Sequence, residues 1–74
     1  MAKRRFYPQP PIPLNPNAMQ IYKRIIRQLD NLPGWKVDKA ATIAKLAYRR
    51  DVGTADGIEL ALLTREADKL RVTV

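Results

Sequence analysis

Residues 18–32 read AMQIYKRIIRQLDNL, and the spacing of their apolar side chains decides what kind of fold the chain can adopt. Ala18, Ile21, Tyr22, Ile25, Ile26, Leu29 and Leu32 recur at three- and four-residue steps, which predicts an amphipathic helix with one broad apolar face. Lys23, Arg24 and Arg27 fall between those positions, and no acid appears before Asp30. A single helix thus carries an apolar stripe and a cationic stripe. Asn15-Pro16 opens it with an N-cap and a proline at the first helical position. Asn31-Leu32-Pro33-Gly34 closes it.

Working outward, residues 1–16 (MAKRRFYPQPPIPLNP) hold five of the six prolines and predict an extended, polyproline-like leader laid along a partner. Its Lys3, Arg4, Arg5, Phe6 and Tyr7 mix cations with aromatics, a combination suited to RNA or to an acidic protein groove. Trp35 is the only tryptophan, and it is expected to pack between helices. A second helix is expected from an N-cap at Asp38 to a C′ glycine at Gly53, with Ala40, Ile43, Ala44, Leu46, Ala47 and Tyr48 as its apolar set. Small residues there let another helix, or a ligand, come close. Asp56-Gly57-Ile58-Glu59 has the pattern of a capping box. The third helix it opens carries Leu60, Leu63, Ala67 and Leu70 as a narrower seam, flanked by Ile58 and Leu62. The expected fold is all-α: a three-helix bundle over residues 17–74 with an extended proline-rich leader over residues 1–16.

With 74 residues the chain makes one small domain, and such domains usually gain stability from a staple, a metal or a partner. Having neither cysteine nor histidine, it excludes disulfides, the usual zinc sites and thiol or Ser-His nucleophiles. No phosphate loop or metal spacing is present, and Asp56, Glu59, Glu66 and Asp68 are expected to serve as cap, dipole partner and solvated surface. The chain is therefore expected not to be an enzyme. A net charge of +7 is unevenly placed: residues 1–50 hold eleven basic and two acidic side chains, residues 51–74 three and five. That polarity implies an anionic partner. No apolar run approaches the ~20 residues of a membrane span. MAKRR has no apolar segment after it, so a secretory signal is not expected; nor is a removed presequence expected. Helix-turn-helix DNA binding is disfavoured, because the third helix sets Glu59, Glu66 and Asp68 against Arg65 and Lys69.

From Met19 onward the chain resembles the LYR-motif proteins, small three-helix mitochondrial adaptors. Ile21-Tyr22-Lys23 stands where that family has Leu-Tyr-Arg, followed by Arg24, Ile25, Ile26 and Arg27 in the family's alternation of basic and aliphatic residues. Tyr48-Arg49-Arg50-Asp51 stands where many members have Phe-Arg-Lys-Asn at the end of the second helix. Leu62-Leu63 and Leu70 fall at the third helix's paired and closing leucines.

The resemblance implies a non-enzymatic adaptor on the matrix side of the mitochondrion. It would bind acyl carrier protein and anchor it to a large multiprotein complex, first a respiratory complex I in which the chain is an accessory subunit. The alternative is an RNA-binding protein of the mitochondrial ribosome or its assembly, in contact with rRNA. By resemblance the carrier would dock on Tyr22, Lys23, Arg24, Arg27, Lys45, Arg49 and Arg50. The adaptor would bind no cofactor directly. The carrier's acyl-4′-phosphopantetheine would enter a tunnel lined by Ile21, Ile25, Ile26, Leu29, Ile43, Ala44, Ala47 and Leu63. Burying ~10 methylenes there would contribute at most roughly 8 kcal/mol. Ala40, Ala44, Ala47 and Ala61 suggest an interior that would gain from such a guest.

Overall fold

The computed structural model describes residues 8–74, so the expectation for Lys3 to Tyr7 lies outside the described residues. Three helices follow the leader: α1 over Pro16–Gln28, α2 over Gly34–Asp51 and α3 over Gly57–Leu70. Among the described residues there is no strand.

Local chemistry explains the boundaries. The Asn15 side chain accepts a hydrogen bond from the Ala18 N–H at 2.8 Å, with Pro16 at the first helical position, as expected. At the other end α1 stops at Gln28, a turn before Leu32. Leu29 turns extended (φ −94°, ψ 136°), which keeps its side chain buried while the chain leaves the helix axis. Pro33 disfavours helical backbone at Leu32, so the break falls ahead of it. The same proline moves the start of α2 to Gly34, four residues ahead of Asp38. Pro33 has the extended backbone of a cap (φ −64°, ψ 156°), and its carbonyl accepts from the N–H groups of Lys36 and Val37. A first turn forms there without a side-chain cap, and Asp38 lies within the helix.

Gly53 closes α2 as expected. It sits in the left-handed region (φ 79°), with its N–H on Arg50 O and the Thr54 N–H on Arg49 O. This is a Schellman ending, and a side chain would strain that backbone. Asp56 and Glu59 complete the capping box of α3: each side chain accepts from the other residue's N–H.

α2 is the centre of the bundle. α1 and α3 each pack on it, while their own backbones do not approach within 8 Å Cα to Cα. A helix packed on two sides buries more than one stripe. Ala40, Ala41, Ile43, Ala44, Leu46 and Ala47 accordingly cover over half of its circumference. Four of those six are alanines, small enough for both neighbours to come close. Tyr22, Ile25, Ile26 and Ile43 are the largest fully buried side chains. From α3, Leu63, Ala67 and Leu70 join the same core, with Ile12 and Leu14 of the leader packed against it.

Three expectations are corrected. Trp35 is 57% exposed in the first turn of α2 and carries the Lys36 ammonium 5.6 Å from its ring centroid. The early start of α2 is the reason, since it places Trp35 on the outer side. Ala61 lies with Ile58 and Leu62 on the outer face of α3, away from the interior. Glu66, expected at the solvated surface, is only 5% exposed. Lys39 and Lys69 bind its two carboxylate oxygens, Lys69 at 3.1 Å, which compensates the burial.

Candidate docking face and apolar interior

Helical periodicity separates the two sides of α1. Ala18, Ile21, Tyr22, Ile25 and Ile26 are buried against α2, and the same rotation brings Arg24 and Arg27 outward, with Lys23 half-buried beside them. The cationic stripe is therefore a real surface feature. It is backed, one helix diameter away, by the deepest part of the core. Among the described residues neither Lys23 nor Arg24 has an acid partner.

The other expected docking residues have different surroundings. Tyr22 is 1% exposed, so it forms part of the core and not of the outer face. Its hydroxyl donates to the Pro8 carbonyl at 2.7 Å, tying the leader to α1, and burial raises its pKa. Lys45 is exposed and borders a cleft of about 220 Å³ with Leu14, Ala18 and Tyr48, where the leader passes α2. Arg49 is half-exposed but engaged within the chain: Nε and Nη2 donate to the two oxygens of Glu59 at 2.9 and 3.0 Å, and Nη2 also donates to Thr54 O. It staples the end of α2 to the start of α3. The Arg49 hydrogen bond, with help from the Asp56 N–H, holds the Glu59 carboxyl below its ordinary pKa. Arg50 pairs with Asp51 and donates to the Val74 carbonyl at 3.2 Å. The seven residues thus divide into an outward group on α1, with Lys45 at its edge, and a group engaged within the fold.

All eight residues expected to line a tunnel fall in one core cluster. Ile25, Ile26, Ile43, Ala44 and Ala47 are fully covered, Leu29 and Leu63 nearly so, and Ile21 lies at the margin. The core is closed by the segment after α3, short and β-leaning in sequence, whose partner no local pattern reveals. After α3, residues 71–74 turn back, Val72 is buried, and the Gln28 side chain clamps Thr73. Gln28 and Thr73 are 45 positions apart, and no local pattern links them.

Among the described residues, no group of carboxylates could hold a metal ion, and no helix is long and apolar enough to cross a membrane. The chain matches no family model, no characterised protein and no solved structure.

Proposed function

We propose that the chain is a non-enzymatic LYR-type adaptor of the mitochondrial matrix that holds an acyl carrier protein on a large complex, a respiratory complex I being the first host. One observation carries this reading: an outward cationic stripe, Lys23, Arg24 and Arg27, lies on a helix whose opposite face lines an apolar core shared by all three helices. An acidic recognition helix on the carrier meets the cations, and its acyl chain enters the apolar side. Long-range attraction then speeds encounter, and burial of the chain supplies the stability. The leader, tied to α1 through Tyr22, faces the host complex.

The test is co-expression with a mitochondrial acyl carrier protein, followed by intact-mass measurement of the purified complex. A stable one-to-one pair carrying acyl-phosphopantetheine is expected. In the double variant Lys23→Glu/Arg24→Glu, pairing is lost while the helical circular-dichroism signal is retained. Failure of the parent chain to pair, with salt-dependent RNA binding in its place, overturns the reading in favour of a ribosomal role.

A further inference from the structure

An acyl chain that enters this protein needs a way past a closed core. Ile25, Ile26, Ile43, Ala44 and Ala47 have no exposed surface, so no open channel reaches them. The α1–α3 side is built differently. The two helices keep their Cα atoms more than 8 Å apart, and the return segment 71–74 is hydrogen-bonded to Gln28 at the end of α1. Arg71 adopts the left-handed conformation (φ 56°, ψ 43°), and the Val72 N–H bonds to Ala67 O, turning the chain back. Val72 is buried and Val74 packs on the core margin. Two side chains hold this cover from outside. The Gln28 amide accepts from the Thr73 N–H at 2.8 Å and donates to the Thr73 carbonyl at 2.9 Å, as a neighbouring strand would; Arg50 donates to the Val74 carbonyl. A cleft of about 320 Å³ lies between the segment and α3, walled by Leu60, Leu63, Ala67, Val72 and Val74, with Arg50 at its rim.

We propose that residues 71–74 are a displaceable gate, and that an unbranched acyl chain enters under them, between α1 and α3, with Gln28 as the latch. This rests on the adaptor reading. The gate is cheap to open: its clamping hydrogen bonds are exposed, so water replaces them, and Val72 is its one buried side chain. The acyl chain takes over the apolar contacts that the valines give up. Opening also frees an Arg50 nitrogen at the rim, where it suits the phosphate of a phosphopantetheine arm. Arg24 shares a cleft with Asp51 and Val52, so the docking stripe reaches the same end of the bundle.

The chain has no cysteine, so Gln28→Cys with Thr73→Cys creates a single possible disulfide that locks the gate. Two probes are compared: acyl carrier protein bearing decanoyl-phosphopantetheine, and the same carrier without the arm. The parent chain is expected to prefer the decanoyl carrier by about tenfold or more. The oxidised double-cysteine variant binds both equally, and a reductant restores the preference. Separately, Gln28→Ala raises affinity for the decanoyl carrier by about threefold, because the closed state loses its latch. If the parent binds neither carrier, the adaptor reading fails and takes the gate with it. If the parent binds without an acyl preference, or the locked protein keeps that preference, or Gln28→Ala changes nothing, the gate alone is overturned.

Discussion

The two sides of α2 solve the same packing problem by different means. Towards α1 the solution is side-chain interdigitation: Ile21, Tyr22, Ile25 and Ile26 settle against an alanine-rich surface, and the backbones come close. Towards α3 the contact is stapled at both ends by ions. Arg49–Glu59 sits at the start of α3, and Lys39–Glu66–Lys69 lies further along it. Between α3 and α1, whose Cα atoms stay more than 8 Å apart, lies the four-residue return with Val72 in the shared core. Apolar contact is non-directional and costly to interrupt, whereas exposed hydrogen bonds exchange readily with water. The α1–α2 contact is therefore the wall, and the return between α3 and α1 is the part we propose opens.

The largest expected effect lies in the wall. Ile25→Ala removes three buried carbons at the α1–α2 contact and should cost about 3 kcal/mol, a large share of so small a domain's stability. Urea unfolding followed by circular dichroism measures it, and a loss near zero would mean that the wall relaxes as readily as the return segment. Val72→Ala removes two methyl groups from the gate and should cost about 1.5 kcal/mol by the same measurement. A Val72 effect as large as that of Ile25 would erase the distinction between the two sides.

The helix count, the Asn15 and Asp56 caps and the Gly53 ending were legible because each depends on a few neighbouring residues whose chemistry is local. The α1 face was legible too, since one period of 3.6 fixes both its stripes. What escaped reading depends on distant partners. Trp35 is outside because Pro33 starts α2 early, and Asp38 looked a better cap than a proline does. Glu66 is inside because two lysines, 27 residues before and three after, neutralise it there. Arg49 and Arg50 were legible as cations, but only the fold reveals that Glu59 and Val74 engage them.

A smaller effect separates the ionic side from the apolar one by pH. Glu59 and Glu66 are both held below their ordinary value of 4.5, Glu59 first by the Arg49 hydrogen bond and Glu66 first by that of Lys39. A depressed folded-state pKa contributes stability that is fully present above the ordinary value and is lost as the pH falls through the folded one. The melting temperature should thus be flat from pH 7 to about 5 and decline below that. The decline should be modest, because solvent reaches Lys39, Lys69 and Arg49. Glu66→Gln should flatten part of it, and an unchanged profile would remove the Glu66 pairs from the account.

The smallest effect tests how the return segment is held. Arg71 is the one non-glycine residue with positive φ among the described residues, and its side chain is exposed. Left-handed backbone costs an L-residue about 1–2 kcal/mol, and glycine escapes that cost but gives back roughly half in unfolded-state freedom. Arg71→Gly should therefore stabilise the protein by about 0.5 kcal/mol, seen as a higher urea midpoint at unchanged slope. Because the turn exists only with the return segment in place, the gain belongs to the closed gate. The same substitution should then slightly weaken binding of an acylated carrier while leaving the arm-less carrier unaffected. A lower midpoint would mean that the Arg71 side chain, and not the turn, holds the segment down.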